Sequence, residues 1–111
     1  MTRDRLYLNS ILDSINRIEC YTNVDRDRFM NTPMMQDAVI RNLEIIGEAV
    51  KNLSSELRAK NSQVPWRDIA GLRDVLIHDY LNVDLNEIWA LLDQDLPELK
   101  RNIELILHDL P

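Results

Sequence analysis

Apolar residues recur every three or four positions along most of this 111-residue chain, and that spacing constrains its fold more than any other feature. Only two glycines and four prolines are present, and the β-branched alternation that strands need is scarce. The first apolar stripe predicts a helix over roughly residues 3–22 and consists of Leu8, Ile11, Leu12, Ile15 and Ile18. The chain is therefore expected to be all-α.

A second stripe follows residues 23–31, which lack periodicity and are predicted to form a loop. Thr32 is a candidate N-cap, Pro33 suits the first helical position, and Gln36 lies where a capping-box partner would be. The stripe predicts a helix to about residue 60 and consists of Met35, Val39, Leu43, Ile46, Val50, Leu53 and Leu57. Gly47 within this helix weakens it and predicts that another helix approaches closely.

A third long helix is predicted after residues 61–65, which break the pattern. Trp66 is expected to anchor a short helical turn before it. The helix is expected to end near residues 81–83, and its predicted inner side consists of Ile69, Leu72, Val75 and Leu76.

A fourth helix is predicted from Asp84, a good N-cap with Glu87 as its capping-box partner. Pro97 must kink or restart this helix, and Asp95 is available as a cap. No repeat or linker divides the sequence, so residues 1–111 are expected to form one domain. The predicted architecture is an antiparallel bundle of four to five helices.

The composition narrows the range of functions and compartments. Thirteen basic residues against nineteen acidic ones give a net charge of −6, so tight nonspecific binding to long nucleic acid is not expected. A local basic cleft remains compatible with this balance. The single cysteine, Cys20, fits a reducing compartment. Because neither a membrane-spanning stretch nor a signal-peptide pattern occurs, a cytoplasmic protein without a membrane partner is expected.

The most informative motif is Arg73-x4-His78-x-Tyr80, which places a fixed cation, a near-neutral titrating group and a phenol within about three helical turns. On a continuous ideal helix, Arg73 and Tyr80 point nearly the same way, whereas His78 lies about 140° around from Arg73. A catalytic site built from Arg73 and His78 is therefore expected at a dimer interface. Asp74, four residues before His78, is a candidate to hydrogen-bond the imidazole.

These groups suit metal-independent cleavage of RNA by attack of the ribose 2′-hydroxyl on the neighbouring phosphorus. His78 could take the proton as a general base, and the forked guanidinium of Arg73 could stabilise the charged phosphoryl oxygens. Tyr80 could contact the phosphate or be modified. No cofactor and no metal ion are expected, because the cysteine and the two histidines lack zinc spacing.

Less specific interpretations of the same residues remain open. His78 could be a satisfied buried histidine, and Arg73 could pair with a carboxylate such as Glu44 or Glu48. Tyr80 could be a half-buried ring with a wet hydroxyl. His108 is better explained as a partner of a helix C-terminus.

The motif and its flanks resemble the HepT group of the HEPN superfamily. The resemblance covers nearly the whole chain and is carried by Arg73-x4-His78-x-Tyr80, by the preceding segment 64–72, by segment 38–49 and by segment 95–100. It implies a small helical bundle that dimerises through the motif helices and places the Arg and His of both protomers in one cleft. Many HEPN proteins are metal-independent ribonucleases.

The resemblance further implies a toxin of a two-component toxin–antitoxin module. The partner would be a minimal nucleotidyltransferase antitoxin that attaches adenylate to the motif tyrosine. Arg73 and His78 would then be catalytic, Tyr80 the modified residue and RNA, such as tRNA, the substrate. Arg41, Glu44 and Glu48 are candidates to line the cleft.

A second hypothesis assigns the chain to another class of protein. It would be a non-catalytic helical antitoxin or regulatory module that binds a nucleotidyltransferase, and the net charge of −6 mildly favours it. Growth of cells that express this chain alone separates the two hypotheses. A nucleotide-binding sensor is a third, weaker hypothesis.

Overall fold

The helical periods of the sequence become seven α-helices in the described part of the chain. The computed structural model describes residues 2–78 and 80–111, with only the backbone described for Thr2 and Tyr80. The helices are α1 (Thr2–Tyr21), α2 (Arg26–Met30), α3 (Pro33–Asn52), α4 (Ser55–Lys60), α5 (Trp66–His78), α6 (Leu85–Gln94) and α7 (Leu96–Asp109), with a 3₁₀ turn at Tyr80–Asn82. No strand occurs within these ranges, which confirms the all-α prediction.

The long helices form a bundle around one core. α1 packs against α3 and α7, α3 also packs against α5, and α6 packs against α7. The fully buried large side chains come from five helices and are Phe29, Leu8, Ile11, Ile15, Ile18, Leu76, Ile103, Val39 and Val50. Full burial of one such aliphatic side chain contributes about 1.5–3 kcal/mol. Four of the five residues of the first predicted stripe lie in this set, so the prediction of α1 is confirmed.

The segment predicted to be a loop contains the short helix α2, so that prediction was wrong. The side chain of Asp25 caps the helix by accepting a hydrogen bond from the Arg28 N–H at 2.8 Å. Phe29 is fully buried, and its ring centroid lies 5.2 Å from that of Trp89. Two adjacent apolar residues, Phe29 and Met30, after a run of charges produce no helical period, which is why the sequence pattern does not predict α2.

The helix predicted to reach about residue 60 is in fact two helices, α3 and α4. Leu53 is extended between them, and Ser54 caps α4 by accepting a hydrogen bond from the Leu57 N–H at 3.1 Å. The buried carboxylate of Asp4 accepts hydrogen bonds from the Ser54 N–H at 2.8 Å and the Ser54 hydroxyl at 2.7 Å. This contact spans fifty residues, so no local pattern indicates the break.

The start of α3 is predicted correctly, but its capping box is absent. Thr32 occupies the N-cap position, yet its hydroxyl donates to the Arg28 carbonyl at 2.6 Å. Gln36 donates to the carbonyls of Phe29 and Met30 at 2.9 and 3.1 Å. Both side chains satisfy carbonyls at the end of α2, a helix that the sequence pattern does not predict.

The third predicted helix is present as α5, with three corrections. Trp66 is buried within α5 itself, not in a separate turn, and its indole N–H donates to the Asn61 carbonyl at 3.0 Å. Val75 was predicted to face inward but is 57% exposed. α5 ends at His78, and the next described element is the 3₁₀ turn, so the α-helix ends earlier than predicted.

The fourth predicted helix is divided at Pro97. Asp84 caps α6 by accepting a hydrogen bond from the Asn86 N–H at 2.9 Å. α7 then restarts with Pro97 in its first turn, and Asp95 occupies the cap position without a side-chain capping bond. No helix within residues 2–78 and 80–111 is long and apolar enough to cross a membrane.

Candidate active site

Gly47 brings the helix that carries the motif into close contact with α3. A Cβ atom built on Gly47 would collide with the Cβ of Arg73 and lie 3.1 Å from the Ile69 carbonyl oxygen. A side chain at position 47 would therefore hold α3 and α5 apart. The predicted close approach at Gly47 is confirmed, and it places Arg73 at the crossing of the two helices.

The guanidinium of Arg73 is held between two carboxylates. Its Nε lies 3.0 Å from Oε2 of Glu48, and its Nη1 lies 3.2 Å from Oδ1 of Asp74. The side chain is 31% exposed, and Nη2 makes no hydrogen bond to any residue that the structure describes. Arg73 is thus anchored at two of its three guanidinium nitrogens.

Asp74 joins Arg73 to a second cation. Lys51 Nζ donates to Oδ1 of Asp74 at 2.7 Å, so one carboxylate oxygen serves both Lys51 and Arg73. The hydrogen bond from Lys51, followed by that from Arg73, lowers the pKa of Asp74 below its ordinary value. Asp74 was predicted to orient His78, but its partners in the structure are Lys51 and Arg73.

A groove of about 200 Å³ surrounds Arg73 and crosses three helices. Its lining residues are Tyr7 and Ser10 from α1, Arg41, Glu44, Ile45, Glu48 and Ala49 from α3, and Arg73 and Ile77 from α5. The structure therefore brings Arg41, Glu44 and Glu48 into the same groove as Arg73. Of the two carboxylates named as candidate partners of Arg73, Glu48 forms the ion pair.

The other two motif residues are His78 and Tyr80. His78 is exposed in the last turn of α5, does not line the groove, and makes no hydrogen bond within the described residues. Exposure of His78 contradicts the buried-histidine interpretation. The side chain of Tyr80 lies outside the described residues, and because α5 ends at His78, the spacing argument for a shared face with Arg73 no longer applies. His108 lies exposed in the last turn of α7.

Exposed apolar residues flank the motif. Val75 is 57% exposed, Ile77 is 41% exposed and Leu81 is 94% exposed. All three belong to α5 or to the 3₁₀ turn after it. Three exposed apolar side chains within residues 75–81 make this segment a candidate contact site for another macromolecule.

Comparison with known proteins identifies the family of the chain. Residues 11–106 match the family described as Ribonuclease HepT-like. The chain belongs to the HepT-like family. The resemblance to the HepT group of the HEPN superfamily is thereby confirmed. No solved structure gives a significant match.

Several curated relatives of this HepT-like chain carry provisional ribonuclease names. A provisionally named RNase of Caldanaerobacter subterraneus is 44% identical over 97% of both chains. A provisionally named ribonuclease HepT of Thermococcus cleftensis is 40% identical over 88% of this chain and 90% of its own. A Methanocaldococcus jannaschii protein, named gamma-glutamylcyclotransferase and provisionally RNase, is 47% identical over 96% of this chain, which spans 48% of that longer protein. The family is ribonuclease-like.

The structure of this HepT-like chain adds groove residues that the sequence did not indicate. Tyr7 and Ser10 precede the motif by more than sixty residues, and no local pattern links α1 to Arg73. Lys51 could have been found, because it lies three residues after Glu48 on α3 and therefore on a neighbouring face. Within residues 2–78 and 80–111, no group of three or more His, Cys, Asp or Glu residues could hold a metal ion.

A larger cavity, of about 430 Å³, lies on another face of α3 and does not include the motif residues. Its walls are mostly apolar and include Leu43, Ile46, Ile69, Leu72, Leu96 and Leu99. It offers neither a cation nor a titrating group near neutral pH among the residues that form it. The groove around Arg73 is therefore the better candidate for an active site.

Proposed function

We propose that this HepT-like chain is an endoribonuclease that cleaves RNA without a metal ion, with Arg73 as the phosphate ligand and His78 as the proton-transfer group. The observation that supports this most strongly is the placement of Arg73. Its guanidinium lines a groove and is anchored by Glu48 through Nε and by Asp74 through Nη1. The ribonuclease character of the family agrees with this use of the groove.

The proposed reaction needs one base and one cationic clamp. The 2′-oxygen of a ribose attacks the adjacent phosphorus while His78 takes its proton. The P–O5′ bond then breaks, which leaves a 2′,3′-cyclic phosphate on one fragment and a 5′-hydroxyl, after protonation, on the other. Negative charge builds on the phosphoryl oxygens in the transition state, where the two N–H groups of Arg73 Nη2 would stabilise it.

The active unit that we propose is a homodimer. In one chain, Arg73 lines the groove and His78 lies outside it, so one copy does not direct both groups into the same cavity. A second copy seated on the exposed residues Val75, Ile77 and Leu81 would cover apolar surface and bring another His78 to the motif helix. Dimerisation through the motif helices would thus both bury exposed apolar side chains and complete the proposed catalytic site.

The proposed biological role is that of a toxin paired with a minimal nucleotidyltransferase antitoxin in the cytoplasm. The antitoxin would transfer adenylate from a nucleoside triphosphate to the Tyr80 hydroxyl, with release of pyrophosphate. The new phosphodiester adds bulk and negative charge close in sequence to Arg73, so it would repel the phosphate of an incoming RNA. RNA, such as tRNA, would be the substrate of the unmodified chain.

A ribonuclease assay in EDTA tests this function. Purified chain, shown by intact mass to carry a bare Tyr80, is incubated with total tRNA beside Arg73→Ala and His78→Ala. Wild type should cleave, and each variant should lose about 10²–10⁴-fold in rate while it keeps its fold, because a proton-transfer group or charge clamp is missing.

Two further observations complete the test. Chain co-expressed with the nucleotidyltransferase should carry one adenylate on Tyr80 and be inactive. If unmodified wild type does not cleave RNA and does not slow growth when expressed alone, the non-catalytic antitoxin module becomes the better account. Cleavage that Arg73→Ala or His78→Ala leaves intact would also contradict the proposed mechanism.

A further inference from the structure

The groove around Arg73 contains one carboxylate that its ion pairs leave largely unused. Glu44 is only 17% exposed at its side chain, and its single contact among the described residues is Arg41 at 3.5 Å, the limit of a hydrogen bond. Glu48, one turn along α3, by contrast pairs through Oε2 with Arg73 at 3.0 Å, and its side chain is 53% exposed. Glu44 thus has acceptor capacity that faces the groove.

The other walls of the groove suit a flat, partly apolar group. The ring of Tyr7 and the side chains of Ile45 and Ala49 form its walls, and Ser10 adds a hydroxyl group. The guanidinium carbon of Arg3 lies 5.9 Å from the centroid of the Tyr7 ring, which helps to hold the ring in place. At about 200 Å³ the groove is smaller than pockets for drug-sized ligands and fits a single unpaired ring system.

We infer that this groove is a nucleobase subsite in which Glu44 selects bases that carry an exocyclic amino group. This inference rests on the proposed function, because it places a nucleotide next to the phosphate that Arg73 binds. The Glu44 carboxylate would accept a hydrogen bond from the amino group of adenine, cytosine or guanine. Uracil presents a carbonyl oxygen at the corresponding edge, which a carboxylate repels.

The charge arrangement favours a nucleotide over a simple cationic ligand. The groove offers cationic donors at Arg73 and an acceptor at Glu44. Arg73 pairs with Glu48, and Glu44 lies four residues before Glu48, which is about 6 Å along the helix axis. A nucleotide of single-stranded RNA carries both an anionic phosphate and amino or imino donors on its base. Proteins generally read single-stranded RNA by stacking bases on aromatic rings and by hydrogen bonds to the base edges.

The test compares pairs of RNA substrates that differ by one amino group. Each oligoribonucleotide has a single cleavage position. The nucleotide on one side of the scissile phosphate, and then the one on the other side, is varied in two pairs: guanosine against inosine, and adenosine against purine riboside. At one of these two positions, wild type should favour the amino-bearing base by about tenfold to a hundredfold in kcat/KM, as a hydrogen bond to a charged acceptor predicts.

Substitution of Glu44 tests the assigned residue. In Glu44→Gln the preference for amino-bearing bases should shrink toward unity, and cleavage beside uridine should improve, because the amide can donate to the uracil oxygen. Glu104→Gln, on the exposed surface of α7, is the matched control and should keep the wild-type preference. Tyr7→Leu should lower kcat/KM for all bases by about 5- to 100-fold, since stacking does not depend on base identity.

Binding of non-cleavable RNA separates this inference from the proposed function. Oligonucleotides with a 2′-deoxyribose at the attacking position cannot react, and fluorescence anisotropy measures their affinity whether or not the chain is a ribonuclease. Tighter binding of amino-bearing bases that Glu44→Gln abolishes would support the subsite even if cleavage fails. Equal binding and cleavage of all bases, or a preference that Glu44→Gln retains, would overturn it.

Discussion

At the scale of single residues, the structure shows how Arg73 is held in place in an acidic protein, which its proposed role as a phosphate ligand requires. The net charge is −6, so no general positive field draws nucleic acid to the surface. Arg73 is instead fixed by Glu48 through Nε and by Asp74 through Nη1, and Lys51 balances Asp74. The guanidinium is thereby pre-organised, and a pre-organised donor loses less entropy when it binds an oxyanion.

The pH dependence of stability should report the Asp74 contact. Because Lys51 and Arg73 lower the pKa of Asp74 in the folded chain, the unfolded chain takes up the proton first as pH falls, and the stability from the ion pair is lost on acidification. The stability from the ion pair should be fully present above the ordinary aspartate pKa of about 4 and absent below the lowered pKa of Asp74 in the folded chain.

Urea unfolding of wild type and Asp74→Asn at pH 7, 5, 4 and 3 measures this effect. The difference between their midpoints should be constant from pH 7 to 5 and shrink below about pH 4. Asp93→Asn is a suitable control, because Asp93 is exposed on α6 and should give no such difference. A midpoint difference for Asp74→Asn that does not change between pH 7 and 3 would contradict the ion pair.

At the scale of elements, the crossing of α3 and α5 positions the site. Gly47→Ala should destabilise the chain by about 1–3 kcal/mol through overpacking, although alanine is the better helix former, because the new Cβ collides with Arg73. Gly71→Ala is the matched control, since a Cβ there meets nothing within 4 Å. It should stabilise the chain by about 0.4–1 kcal/mol.

Unfolding of wild type and both variants in guanidinium chloride measures the two changes in the free energy of unfolding, which should have opposite signs. Gly47→Ala should also lower ribonuclease activity more than Gly71→Ala does, because a wider crossing moves Arg73 away from Glu48. If both glycine variants were equally stable, the close approach of the two helices would be refuted.

Helix positions that follow from the spacing of nearby residues could be predicted from the sequence. Helix boundaries and burial that depend on residues far apart in the sequence could not. The stripe of α1 and the start of α3 follow from side chains three or four residues apart. The break between α3 and α4 depends on Asp4, fifty residues away from Ser54. Val75 fits an inward position by periodicity, but it is 57% exposed, so the helices that the structure describes leave much of its side chain uncovered.

The same distinction applies to the candidate site. Arg73 was evident from the motif, and Glu44 and Glu48 were both named as its candidate partners; the structure shows that the partner is Glu48. The spacing on α3 places Lys51 near Glu48, but its pairing with Asp74 required knowledge of the α3–α5 crossing. Tyr7 requires the packing of α1 against α3, which no motif encodes.

At the scale of the whole molecule, the proposed mechanism requires more than a single chain. Arg73 lines the groove and His78 does not, and Val75, Ile77 and Leu81 leave apolar surface exposed along the motif helix and the turn after it. A dimer that uses Arg73 of one copy and His78 of the other would resolve both features. Such a composite site makes a prediction that no single-chain site shares.

Mixing two inactive variants tests whether Arg73 of one copy acts with His78 of the other. Arg73→Ala and His78→Ala chains are unfolded together, refolded at equal concentration and assayed on RNA in EDTA. Random pairing makes half of the dimers mixed, and each mixed dimer holds one intact pair of groups, so roughly a quarter of wild-type activity should return. If the mixture stays as inactive as either variant alone, while mass spectrometry shows that mixed dimers have formed, Arg73 and His78 do not act together across a dimer interface.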